Sequence, residues 1–145
     1  MNNEIISEIA GLRMELQEII ESFQKKKRDL LILSNEKLPM EERIKEIELT
    51  IAYEVSVESD ESGKKAYPND TLRNAEVRKR LKSSFEYESL KEQLDFLEKQ
   101  ERTLKTEIDI LDRKFRIVEQ MVALVMVEGH ILAHYKEVVD YERSN

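Results

Sequence analysis

Apolar residues recur at alternating steps of four and three along two long stretches of this chain, and that spacing restricts its fold more than any other feature. In the first stretch they fall at Ile5, Ile9, Leu12, Leu16, Ile19 and Phe23 and resume at Leu30 and Leu33. In the second they fall at Leu90, Leu94, Leu97, Leu104, Ile108, Leu111, Phe115, Val118, Val122 and Val125. A 3.5-residue period lays one narrow apolar stripe along a helix, and the stripe leaves water only against another helix. The composition points the same way: of 145 residues 38% are charged and 6% aromatic, with three Gly, two Pro and no Trp. Such a chain is poor in material for a globular core and suits long helices that bury one face. The expected fold is mainly α, a long antiparallel coiled-coil helical hairpin with a small β-hairpin or turn at its tip.

Each stripe skips one apolar beat, at Lys26 in the first stretch and at Glu101 in the second. A chain that reverses near Gly63 and Lys64 sets these two charges against each other, and it also sets Phe23 against Leu104 and Ile5 against Val122. Lys26 and Glu101 are therefore a candidate pair that fixes register and direction. The alternative is that both long side chains reach out to water while their stems stay in the seam.

The chain divides into a first arm (3–37), a tip module (38–84), a second arm (85–128) and a C-terminal amphipathic helix (129–145), together forming one elongated domain. Pro39 suits the first turn of a new helix, with Glu41 and Glu42 at its dipole-favoured start, so the first arm is expected to bend or break there. Ile44, Ile47 and Ile51 give that helix its apolar face. Tyr53, Val55 and Val57 alternate with Glu54, Ser56 and Glu58, which reads as a strand. Asp60-Glu61-Ser62-Gly63 is a turn, and the hairpin is placed near 53–68. Asn69 or Asp70 caps a helix bearing Leu72, Val77 and Leu81, and Ser83 with Glu86 matches a capping box that starts the second arm. Gly129 is expected to interrupt that arm.

From Val118 to Val127 the second arm is apolar on more faces than one partner covers. Val118, Met121, Val122, Leu124, Val125 and Met126, joined by Ile131, Leu132 and Tyr135, are the candidate oligomer interface, so the expected partner at the terminal end is a second copy. Lys64, Lys65, Tyr67 and Arg73 are candidates for recognition of another protein at the tip. Lys79, Arg80 and Lys82 are candidate phosphate contacts. Against a nucleic-acid role stands the charge balance: Glu41 to Glu61 holds eight acids and two bases, while Gly63 to Ser84 holds seven bases and two acids. The two stretches should neutralise one another, and the chain as a whole carries a net charge of -7.

His130 and His134 stand one helical turn apart with Glu128 and Glu137 nearby, a spacing that reaches a zinc ion. No catalytic motif surrounds them, and an interface role is the simpler reading, so no metal site and no cofactor are expected. Nothing pairs a nucleophile with a base, cradles a phosphate or encloses two carboxylates, so no enzymatic activity is expected. The chain has no Cys, which excludes disulfides and thiolate ligands. Its N-terminus lacks the pattern of a signal peptide, and the tract Val122–Val127 is far shorter than the roughly 20 residues of a membrane span. A cytoplasmic location without membrane contact is expected.

Asp60-Glu61-Ser62-Gly63-Lys64-Lys65-Ala66-Tyr67-Pro68-Asn69, followed by Arg73, Val77, Arg80 and Leu81, resembles a stretch in small coiled-coil proteins of phages and prophages. That resemblance implies a mobile-element origin and the host cytoplasm, and it brings no activity with it. In layout the helix, hairpin, helix order is similar to prefoldin, which implies a holdase activity. Here the surplus apolar surface lies instead beside the termini. The sequence thus supports a non-enzymatic coiled-coil scaffold or adaptor, with a nucleic-acid-associated accessory protein and a prefoldin-like holdase as alternatives.

Overall fold

The computed structural model describes residues 2–144 and is mainly α. Three helices make it up: α1 (Asn3–Val57), α2 (Asp70–Ser83) and α3 (Phe85–Ser144). Among the described residues there is no strand. By their internal contacts these form two compact units, Met1–Asp29 with Leu104–Asn145, and Leu30–Thr103.

In the first unit the stripes meet as their spacing requires. Ile5, Leu12 and Ile19 of α1 are buried together with Val118 and Val125 of α3, and Ile9, Leu16, Leu111, Phe115 and Val122 close around them. Removing five such side chains from water, at about 1.5–3 kcal/mol each, is what offsets the entropy of ordering two helices with few other contacts. Numbers rise along one helix as they fall along the other, since Ile19 lines one groove with Leu111 and Val118 whereas Ile6 and Ile9 line another with Met126.

In the second unit α1 differs from the sequence expectation. The helix does not break at Pro39, which lies inside it. Pro39 has no N–H to give to the Asn35 carbonyl, a loss of about 3 kcal/mol in a helix interior. The seam explains why the helix persists. Leu33, Ile44 and Ile47 are all buried, and Lys37 and Met40 between them are half-buried on the same 3.5-residue spacing. Breaking at Pro39 would take this face out of line.

The strand expected at 53–57 is likewise the last turn of α1. A strand would put Tyr53, Val55 and Val57 on one face. Instead Val55 alone is buried, at 1% exposure, while Tyr53 and Val57 stand at 66% and 55%. That is helical geometry, and Val55 continues the stripe of Ile44, Ile47 and Ile51. What remains of the β-hairpin is a single antiparallel bridge between Ser59 and Lys65. Around it the Asp60 carboxylate accepts from the Ser62 N–H at 2.9 Å, the Ser62 hydroxyl at 2.6 Å and the Lys64 N–H at 2.9 Å. Gly63 supplies the positive φ of 77° that the turn demands.

Asn69 caps α2 by accepting from the Leu72 N–H at 2.9 Å. Between α2 and α3 only Ser84 leaves the helical region, and its hydroxyl accepts from the Tyr87 N–H at 3.3 Å. The cap is therefore Ser84 and not Ser83, whose hydroxyl donates to the Lys79 carbonyl. Glu86 is taken by Arg43 of α1 in a two-pronged ion pair, at 2.7 and 3.2 Å. Gly129 does not interrupt α3, which runs unbroken to Ser144, so the segment from 129 to 144 continues the second arm. Gly129 is itself buried on the seam, where the continuing stripe outweighs its poor helix propensity of about 1 kcal/mol.

Candidate functional site

Polar seam residues set the first feature. Lys26 and Glu101, the candidate register residues, each make an ion pair within their own unit. Lys26 donates to Glu107 at 2.6 Å in the first unit, and in the second Lys37 donates to Glu101 at 2.7 Å. Two stripes of period 3.5 match at several registers, and a long lysine stem reaches a carboxylate one or two turns from its own level. Each interruption thus finds a partner within its own unit. The inner pair is the better shielded, with Lys37 and Glu101 at 15% and 17% exposure, and Glu101 holds the Lys37 ammonium above its ordinary pKa.

The loop and α2 form the second feature. Of the residues expected to recognise a partner there, Lys64 and Lys65 are exposed. Tyr67 is half-buried, with its hydroxyl set between Glu76 and Arg80. Arg73 turns inward, donating to the Tyr67 carbonyl at 3.2 Å and pairing with Asp70. Arg80 is held by Glu76 at 2.8 Å and by Glu58 at 2.5 Å, which depresses the Glu76 carboxyl and raises the guanidinium. These ion pairs tie α2 to the end of α1, so Arg80 is structural here while Lys79 and Lys82 remain exposed. The expected neutralisation of the basic stretch by the acidic one is realised at this residue.

The third feature is the apolar surface of α3 beyond its contact with α1. Val118 and Val125, expected at an oligomer interface, are instead at 4% and 7% exposure inside the chain's own core, and Val122 packs against it. Met121, Leu124, Met126, Ile131, Leu132 and Tyr135 are exposed. Ile117, Val127 and Val138 share that exposure, although the candidate interface does not include them. The signal was present as a second stripe of the same spacing, hidden by the first. His130 and His134 are exposed, and among the described residues no group of three His, Asp or Glu side chains is placed to hold a metal ion.

One 18-residue window of α3 has a mean hydropathy of 1.3 with at most two charged residues, and 17% of it is buried. By length and composition α3 is thus long and apolar enough to cross a bilayer, contrary to the expectation drawn from Val122–Val127 alone. Comparison of the chain with protein-family models, curated proteins and solved structures found no match.

Proposed function

We propose that the chain is a non-enzymatic, homo-oligomeric coiled-coil scaffold or adaptor of the cytoplasm. In this reading α1 and α3 form an antiparallel helical hairpin, the exposed part of α3 is the assembly surface, and the 58–67 turn presents Lys64 and Lys65 to another protein. A single observation carries the reading. From Leu124 to Val138 α3 exposes a run of large apolar side chains, among them Leu124 at 69% and Ile131 at 64%, far more than a lone helix keeps in water. Grooves along the helices are open and shallow and lined by ordinary core and rim residues, which favours contact over catalysis.

Solution mass by light scattering tests it, on wild type and on a Leu124→Glu/Ile131→Glu variant at equal concentration. Both positions are exposed, so the variant keeps its fold, which circular dichroism checks. Wild type should be a dimer or larger and the variant a monomer. A monomeric wild type would remove the scaffold reading.

The apolar window of α3 favours a second reading, attachment to a membrane. It requires wild type to co-sediment with phosphatidylcholine vesicles and the charged variant to stay in solution.

A further inference from the structure

Resting on the assembly reading above, we infer that the uncovered side of α3 is occupied by the same side of a second copy, parallel and in register. The α3 helix carries two heptad stripes. The first, Val118, Val122, Val125 and Gly129, is turned to α1 or buried. The second runs Ile117, Gln120, Leu124, Val127, Ile131, His134 and Val138, again in steps of three and four. It lies one to two residues behind the first, so about 150° around the helix. A helix with two such stripes packs between two neighbours, and α1 supplies one of them. The five apolar members of the second stripe stand at 57%, 69%, 56%, 64% and 42% exposure. At roughly 100 Å² of accessible surface each, two copies would bury on the order of 1,000 Å² from these residues alone, close to the ~1,200 Å² at which specific interfaces begin.

The polar members identify the occupant. Gln120 and His134 fall two heptads apart and so hold the same heptad position. In a parallel, in-register pair each meets its own copy across the two-fold axis. An amide facing an amide, or an imidazole facing an imidazole, offers a donor to every acceptor. In an antiparallel pair the two seam positions face each other in alternation, so both polar groups would face apolar side chains in every register and lose water without a partner. Polar residues at one seam position are a known means of fixing partner and register in parallel coils. A bilayer would instead have to accommodate Glu119 and Glu128 on the flanks of the same stripe.

Cysteine cross-linking decides the matter cleanly, because the chain has no Cys of its own. Leu124→Cys and Val138→Cys are made separately, with Ile131→Cys in reserve should either lose helicity, and each is oxidised at the concentration used for light scattering. These positions lie about 21 Å apart along the helix, and only a parallel, in-register pair lets both variants form disulfide-linked dimers with themselves. Self-linking of each, with equal mixtures giving no preference for the hetero-dimer, is the expected result. A disulfide that forms in one variant and not in the other means that the pair is not parallel and in register, and overturns the inference. So does a wild type that is oligomeric while neither variant links, which leaves the assembly reading standing. A wild type that is monomeric in buffer, or found only on phosphatidylcholine vesicles, overturns both.

Discussion

Replacing Pro39 by alanine is the sharpest test of the unbroken α1. In a helix interior proline costs about 3 kcal/mol against alanine, through the missing N–H and the clash of its ring with the carbonyl four residues back. Here that carbonyl belongs to Asn35, and Pro39 is exposed, so the substitution removes no packing. Part of the gain is returned, because alanine frees the unfolded chain by about 0.4–1 kcal/mol. The net expectation for Pro39→Ala is a stabilisation of about 2 kcal/mol. At roughly 2–5 °C per kcal/mol for a chain of this size, the thermal midpoint should rise by about 4–10 °C. Urea denaturation followed by circular dichroism, at one fixed protein concentration, measures it. If Pro39 instead opens a new helix, it sits where its fixed φ helps and its missing N–H costs nothing. Alanine would then be neutral or destabilising, and either result would refute the continuous helix.

Three further outcomes follow from the same contacts. Val55→Ala should cost about 1.5–3 kcal/mol, because Val55 is the only fully buried large side chain among the described residues; Val57→Ala, at an exposed site, should change the urea midpoint little, whereas a strand would make the two alike. Gly63→Ala should destabilise by about 1 kcal/mol, since the φ of 77° is strained for any side chain even though space around it is open. Glu86→Gln probes linkage: the Arg43 guanidinium holds the Glu86 carboxyl below its ordinary value, so its contribution is present above the ordinary carboxylate range and is lost as pH falls through the lowered value. The gap in urea midpoint between wild type and Glu86→Gln should therefore be constant near neutrality and close below about pH 4; a gap that widens on acidification would contradict the pair.

The two stripes made the mainly α fold legible, because only a helix turns residues 5, 9, 12, 16 and 19 to one side. Local breakers were over-read for the same physical reason that made the stripes readable. Pro39 and Gly129 each cost a helix a few kcal/mol at most, and each sits within a seam whose burial continues on both sides. The strand at Tyr53–Val57 was ambiguous by construction, since over five residues an alternating pattern and one helical turn share Val55. Register was not legible, because a seven-residue repeat matches itself one heptad away and a lysine stem reaches carboxylates at more than one level, as Lys26 does at Glu107 and Lys37 at Glu101. At the turn, composition located Asp60 and Gly63 correctly, but it could not show that Arg73, Tyr67 and Arg80 face inward, which depends on where Glu58 and Glu76 come to lie. Val118 and Val125 were placed on an outer face and lie in the chain's own core, because one-dimensional spacing does not say which of two stripes on α3 packs against α1.

Hydrogen exchange of α3 tests the central claim most directly. An uncovered helical segment opens easily and exchanges fast, whereas one held in an interface exchanges only when the assembly dissociates. Amides from Leu124 to Val138 should be protected at high protein concentration and lose that protection on dilution or in the Leu124→Glu/Ile131→Glu variant, while those around Ile108 and Val118 stay protected throughout. Rapid exchange from Leu124 to Val138 at every concentration would show that nothing covers this face, and the account of α3 as an assembly surface would be wrong.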